Sequence, residues 1–303
     1  MTAQVILNPY SNRWQAREKW TMVEDELNKA GISFELAMSK HPGGHVSELA
    51  SEAVQKGYAP IIVAGGDGTI GEVINGMASG ARDSRIPLGP VGFIPLGTAN
   101  DLVHNLKLPV DIPGAVALIA RGKTSKLDVC QVNSRLFVNN SAIGLEPTVT
   151  LIQQDMKHSK GIVRYLLATL RAINRNPSWQ ARLDWDGGHY EGPISLVTVG
   201  NGAVTGGLFY MTPHADPCDG KLTFVYAFRE TRWEMLKTLP RTMKPAAGSY
   251  VELPGVHEIH SRWLKIKLET PSPAHTDGEI FDEAIQALDY RIHPGKLLYF
   301  SNN

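Results

Sequence analysis

The chain has 303 residues, 43% of them apolar and 20% charged, which is too apolar for a disordered chain and long enough for one large core or two smaller ones. Lys plus Arg number 30 and Asp plus Glu number 30, so the formal net charge is zero and the charge balance gives no support to a nucleic-acid partner. The two cysteines, Cys130 and Cys218, form no C-x-x-C pair and read as ordinary thiols in a reducing cytosol.

In chain order, Val5-Ile6-Leu7 reads as a strand that ends at Asn8-Pro9, too soon for a signal peptide. Trp14 to Ala30 reads as a helix, with Ala16, Trp20, Val23 and Leu27 at helical spacing and Gly31 as its stop. Phe34 to Met38 is a second strand, and Val46 to Lys56 a helix closed by Gly57. Ile61 to Ala64 is fully apolar, as a buried parallel strand requires. A helix from Thr69 to Met77, a strand from Val91 to Ile94 and a helix from Ala99 to Leu106 follow. This alternation predicts an α/β sheet.

From about Asp128 the runs Val129–Val132, Leu136–Val138, Ile194–Val199, Leu222–Tyr226 and Leu264–Leu268 predict a mostly antiparallel β domain. Helical interruptions are expected near 159–175 and 231–243. The domain boundary is placed near Lys126. No stretch reaches the roughly 18 apolar residues of a spanning helix.

Two strand-to-helix turns carry the chemistry. Gly65-Gly66-Asp67-Gly68-Thr69 follows an apolar strand. Its glycines let the backbone approach a ligand, and the N–H groups of the next helix start can hold phosphate. Asp67 can hold magnesium against phosphate oxygens. Pro95-Leu96-Gly97-Thr98-Ala99-Asn100-Asp101 also joins a strand end to a helix start, so both turns should share one carboxyl edge of the sheet. Thr98 and Asn100 can bond phosphate or ribose, and Asp101 adds a second carboxylate. Capping of the next helix is the alternative for Thr98 to Asp101.

With these motifs the sequence resembles the diacylglycerol kinase catalytic-domain family, and within it the soluble bacterial lipid kinases. The likeness runs through Asn8-Pro9-Tyr10-Ser11, both turns, Gly200-Asn201-Gly202, Gly206-Gly207, Pro213 to Asp216, Asp219 to Leu222 and Asp277-Gly278-Glu279. It implies an NAD kinase/diacylglycerol kinase-like fold: a Rossmann-like α/β nucleotide-binding domain (1–126, with 291–303 returning to it) and an antiparallel β-sandwich lipid domain (127–290). It implies Mg2+ and ATP, with Asn8, Ser39, Gly65 to Thr69, Thr98, Asn100 and Asp101 around the nucleotide. Ser39 is the hydroxyl nearest the family's nucleotide-contacting threonine. Glu279 is implied as general base beside Asp67; an acidic surface turn is the other reading of that motif. Asp216, Asp219 and Lys221 match a structural magnesium site, or else a metal-free turn. Asn12 stands where the family has glycine, and Gly71 where it commonly has asparagine.

The reaction expected from the resemblance is transfer of the γ-phosphoryl group of ATP to diacylglycerol or a related lipid. A sphingoid-base or other lipid kinase is the alternative. NAD kinase shares Gly-Gly-Asp-Gly-Thr, but Pro95 to Asp101 and Asp277 to Glu279 argue against it. A nucleotide-binding membrane adaptor is disfavoured because Asp67, Asp101 and Glu279 are all present. The expected setting is cytoplasmic, with peripheral contact at the inner membrane surface, and a homodimer is left open. On a helix, Lys157, Lys160, Arg164, Arg171 and Arg175 fall in one stripe, with Ile162, Leu166, Leu170 and Ile173 opposite. Arg232 to Lys244 is a second segment that can face lipid.

Overall fold

The computed structural model describes residues 2–302 except 157–160, 176 and 246. The first half runs β1 (Ala3–Leu7), α1 (Gln15–Glu18), α2 (Trp20–Lys29), β2 (Phe34–Met38), α3 (His45–Lys56), β3 (Ile61–Gly65), α4 (Asp67–Gly80), β4 (Leu88–Pro95), α5 (Asp101–Asn105) and α6 (Ile112–Arg121). Every residue of β1 and of β3 up to Gly65 is buried, because the strands pair in parallel and helices cover the sheet. The expected helix from Trp14 to Ala30 is divided. Asn12, Arg13 and Trp14 have φ of 50°, 56° and 76°, so helical geometry begins only at Gln15, and a second break falls at Lys19. Ala16, Val23 and Leu27 are nonetheless fully buried, as their spacing predicts. Helix α6 was not anticipated; Asp111 caps it by accepting from the Gly114 N–H.

The second half continues β5 (Thr124–Val132), β6 (Arg135–Phe137), β7 (Asn140–Gly144), α7 (Leu145–Asp155), α8 (Gly161–Asn174), β8 (Trp179–Trp185), β9 (Gly188–Ile194), β10 (Leu196–Gly200), β11 (Val204–Thr205), β12 (Phe209–Tyr210), β13 (Leu222–Ala227), α9 (Arg232–Thr238), β14 (Val256–Ser261), β15 (Trp263–Thr276) and β16 (Glu279–Phe300). The pairing here is antiparallel. The run Ile194–Val199 is interrupted at Ser195, which spans from Ala227 to Leu145 through its backbone. Helix α7 is a further element that the sequence reading lacked.

One hydrogen-bonded path crosses both halves in the order β14-β13-β10-β7-β15-β16-β4-β3-β1-β2. Strand β16 makes the crossing. Its first part pairs with β15, and its end lies parallel to β4, with Leu297 beside Leu88 and Tyr299 beside Val91. Leu297, Tyr299 and Phe300 belong to the first core, with the residues of β1, β3 and β4. Cys130, Val132, Leu264 and Tyr290 belong to the second.

Helices α3 and α4 pack unusually close. A methyl group added at Gly76 would lie 2.1 Å from the Ser47 carbonyl oxygen. Alanine favours a helix over glycine by about 1 kcal/mol, yet here the clash dominates. Gly76→Ala is expected to destabilise the protein by about 1–3 kcal/mol, read from the urea midpoint at constant m-value.

Candidate active site

The two strand-to-helix turns come together as their positions imply. Gly65 ends β3, and its carbonyl accepts the Leu96 N–H at 2.8 Å. Gly66 and Gly97 then touch backbone to backbone. A Cβ on Gly66 would stand 2.9 Å from the Gly97 Cα, so neither position tolerates a side chain. Asn100 holds its turn from within: at φ 53° its Oδ1 accepts the Gly97 N–H at 3.0 Å. Thr69 is buried; its Oγ1 receives the Asn8 amide at 3.0 Å and lies 3.1 Å from the Ser11 hydroxyl. The Thr98 hydroxyl donates to Asn12 Oδ1 at 3.1 Å. Ser39 follows β2 at the sheet edge, is buried, and donates to the His41 carbonyl.

Asp67 is the first residue of α4. Its Oδ1 accepts from the Leu102 N–H and from Asn139 Nδ2, both at 3.1 Å. Its Oδ2 has no partner among the described residues and remains available to a ligand. Asp101, also buried, reaches the opposite wall. Its two oxygens accept the Gly206 and Gly207 N–H groups, each at 2.7 Å. Burial first, and then the nearby Asp67 charge, push its carboxyl up to about 7 against those two bonds.

Asp277 supplies a third carboxylate. It accepts the Asn139 and Asn140 N–H groups on Oδ1 at 2.9 and 3.2 Å and the Val138 N–H on Oδ2 at 3.3 Å. Burial still raises it to about 7. Gly71 leaves room for it: a Cβ there would come within 3.0 Å of Asp277 Oδ2.

Glu279 stands over the backbone of Gly68, the residue after Asp67; a Cβ on Gly68 would be 2.8 Å from its Oε1. Arg135 pairs with it at 3.0 Å, and 45% of its side chain is exposed. Partial burial raises its carboxyl and Arg135 opposes the rise. It lines the side of the site that holds Gly44, Glu72 and Arg135, whereas Asp67, Asp101, Glu146 and Asp277 line the main cleft.

Among the described residues that line this cleft there is no lysine or arginine. The adjoining space, which shares Thr98, Tyr165 and Gly206 with this cleft, is lined by Arg13 and Arg164. No three His, Cys, Asp or Glu side chains among the described residues converge on one point.

The turn of Asp216, Asp219 and Lys221 lies elsewhere, against β5 and β16. Asp216 Oδ1 accepts the Cys218 N–H and Asp219 Oδ1 the Lys221 N–H, both at 2.9 Å. The buried Asp128 pins this turn, accepting Gly220 and Gly295 N–H groups at 2.6 Å each.

Beside the cleft is a cavity with almost wholly apolar walls, formed by Leu145, Val149, Ile173, Leu196, Met235 and Leu239 among others. Glu146, Tyr165, Phe209 and Met211 border both spaces. Asn139, Glu146 and His275 had drawn no notice in the sequence, since none stands in a strong motif; the nearest signal was the position of His275 two residues before Asp277.

A glycine turn at a helix start, a cleft lined by carboxylates and an apolar cavity adjoin one another. The description "Diacylglycerol kinase catalytic domain" matches residues 2–132, and "YegS C-terminal NAD kinase beta sandwich-like domain" matches 140–300. The chain belongs to the diacylglycerol kinase family and is an ATP-dependent lipid kinase. The diacylglycerol kinase of Staphylococcus carnosus (strain TM300) is 28% identical over 278 residues, 91% of this chain and 88% of that one. That of Staphylococcus aureus (strain MRSA252) is 27% identical over 91% of this chain and 85% of its own. The fold matches the crystal structure of a diacylglycerol kinase from Bacillus anthracis str. Sterne with a TM-score of 0.78 at 23% identity, covering 99% of this chain and 97% of that one. The expected α/β domain followed by a β-sandwich is thereby established.

Asp101 makes a pH test possible. A carboxyl raised to about 7 in the fold and near 3.9 in the unfolded chain holds more protons when folded, so its share of stability is lost as pH rises between those values. Asp101→Asn removes that share. The stability difference between wild type and variant should move against the wild type from pH 5 to pH 8, in urea unfolding at each pH.

Proposed function

We propose that the acceptor is diacylglycerol or a related lipid, phosphorylated on its hydroxyl by Mg-ATP. The observation that carries this reading is the adjoining of the carboxylate cleft and the apolar cavity. Residues 1–126 with 291–303 form the nucleotide side and 127–290 the lipid side. Gly65 to Thr69 and Thr98 face the triphosphate through backbone and hydroxyl. Asn8, Ser39 and Asn100 complete the nucleotide wall, with Asn8 and Asn100 fixing the turns through the bonds described. Asp67 is the ligand of the nucleotide's magnesium through its unengaged oxygen, and Asp101 stands next to it. Magnesium, when bound, neutralises the phosphate charge that moves during transfer.

Glu279 is the base that takes the acceptor proton. Proximity to Gly68 supports that role, and Arg135 keeps its carboxyl from rising as far as burial alone would drive it. The turn at Asp216, Asp219 and Lys221 is a second magnesium position, with backbone carbonyls and the spare carboxylate oxygens as its donors.

Lipid is reached through α8 and α9. Lys157 and Lys160 of the expected basic stripe lie outside the described residues. Arg164 leaves the stripe, because its guanidinium donates to the Gln153 carbonyl and ties α8 to α7. Leu170, expected to pack inward, is 46% exposed, whereas Ile173 is buried. With Val163, Leu167 and Trp233 (73% exposed) it gives an outward apolar face beside exposed Arg171 and Arg175. Such a face suits the surface of an anionic bilayer, and no helix among the described residues is long and apolar enough to cross one.

Purified protein with Mg-ATP should phosphorylate a lipid in mixed micelles. Asp67→Ala and Glu279→Ala should each lower kcat by about 100-fold or more at unchanged thermal midpoint. Normal turnover of Glu279→Ala would remove the base assignment. Leu170→Ser with Trp233→Ser should weaken sedimentation with phosphatidylglycerol vesicles about tenfold; equal sedimentation would remove α8 and α9 from the membrane contact.

A further inference from the structure

The apolar cavity has one cationic residue in its wall, Arg229. Strand β10 pairs with β7 from Gly200 beside Asn140 to Leu196 beside Gly144. Asn140 lines the cleft, so Ser195, which precedes Leu196, lies at the other end of the sheet. There the Ser195 Oγ accepts the Arg229 N–H at 3.1 Å. The Arg229 Nη1 donates to the Pro254 carbonyl at 2.7 Å. Its Nε and Nη2 are buried and have no partner. Burial pulls the guanidinium below its ordinary value, and the Glu234 charge on α9 opposes the fall without bonding either nitrogen. Glu146 also keeps an unpartnered oxygen in this cavity, but Asn140 and His275 hold its carboxylate at the cleft end. Orphaned buried donors are uncommon, and those of a charged group are the most costly.

The two orphaned groups are not an arbitrary pair. Nε–H and Nη2–H lie side by side along one edge of a guanidinium, the edge that a carboxylate takes with both oxygens. This chain uses that edge so at its surface. Nε and Nη2 of Arg85, Arg182 and Arg291 donate to both oxygens of Asp83, Asp184 and Asp289. At Arg229 the same edge borders apolar walls. A ligand that satisfies both must carry a carboxylate on a hydrocarbon chain. The room for the chain is set by α8. Tyr165, which borders the cleft, and Ile173, which lines only the cavity, stand about two turns apart, ~12 Å at 1.5 Å per residue.

We infer that the cavity binds a fatty acid, its carboxylate held side-on by Nε and Nη2 of Arg229 and its chain running along the apolar wall toward Tyr165. The bound acid occupies the space of the acceptor's acyl chain, a step that rests on the lipid-kinase reading, and so competes with the acceptor.

The test titrates the whole chain with decanoate and, separately, with decanol, by calorimetry without detergent or nucleotide. Wild type should bind decanoate about tenfold more tightly than decanol, because only the acid can take both N–H groups. Arg229→Met keeps an apolar stem and removes the donors, and should lose the preference. In turnover with Mg-ATP and dioleoylglycerol in mixed micelles, decanoate should raise the KM for the lipid at unchanged kcat, and the same concentration of decanol should raise it less. Equal affinity of wild type for acid and alcohol would overturn the inference without any variant, as would a preference kept by Arg229→Met. Tight decanoate binding at unchanged KM would overturn the competition. Each of these results leaves the kinase reading intact. No turnover of dioleoylglycerol would instead sink that reading, and the calorimetry would still decide the fatty-acid site.

Discussion

The site depends on one buried carboxylate that touches neither of the two glycine turns by sequence. Asp277 receives three consecutive backbone N–H groups, from Val138, Asn139 and Asn140. Those bonds fasten the β15–β16 turn to the entrance of β7. Three consequences follow from that single attachment. Asn139 is held so that its side chain donates to Asp67. Two residues after Asp277, Glu279 is brought over Gly68. Two residues before it, His275 is set against Glu146. Asn139 also joins the two cores, since it rides on the β domain and donates to the first residue of α4. Asp101 repeats the device from the other direction, with its carboxylate on the nucleotide side and both acceptors used by Gly206 and Gly207.

The electrostatics of this arrangement decide what the cleft can bind. Asp67, Asp101, Glu146 and Asp277 line one space together with His275, and no lysine or arginine among the described residues lines it. Asp101 and Asp277 are both pushed up to about 7, and the Asp67 charge contributes to each. Adding a triphosphate alone would bring more negative charge into the same low-dielectric volume. A divalent ion bound with it would offset part of that charge, and Asp67, with one oxygen unengaged, is the carboxylate that would hold it. Two backbone N–H groups hold Asp101 and three hold Asp277, which fixes these carboxylates in the wall.

Much of this was legible in the sequence, and the limits were physical. The apolar run Ile61 to Ala64 gave away its strand because a parallel strand is buried on both faces. The shared edge of the two glycine turns followed from strand and helix order alone. The fully buried Ala16, Val23 and Leu27 followed from helical spacing even though the helix itself was divided. Asn12, Arg13 and Trp14 show why the division was hidden: their left-handed backbone carries no glycine to announce it. Gly71, a departure from the family pattern, lies against Asp277, with 3.0 Å from an added Cβ to Asp277 Oδ2. The bonds of Asn139 and the pairing of Glu146 with His275 lay beyond any local pattern, since their partners are 72 and 129 residues away. Helix α8 misled for a related reason. Its stripe was drawn as for an isolated helix, but α7 takes Arg164, and the packing against Ala168 and Ala172 rotates Leu170 outward.

The outward turn of α8 and the inward turn of α7 belong to one path. Leu167 and Leu170 of α8 are exposed, whereas Ile173 of the same helix and Val149 of α7 are buried in the cavity wall. Tyr165 and Phe209, with ring centroids 4.7 Å apart, stand where that wall gives way to the cleft. Hydrocarbon is favoured up to this point and disfavoured beyond it, because the next surfaces are Glu146, Asp101 and Asp67. The change from apolar to charged wall therefore falls where Glu146, Tyr165 and Phe209 line both spaces.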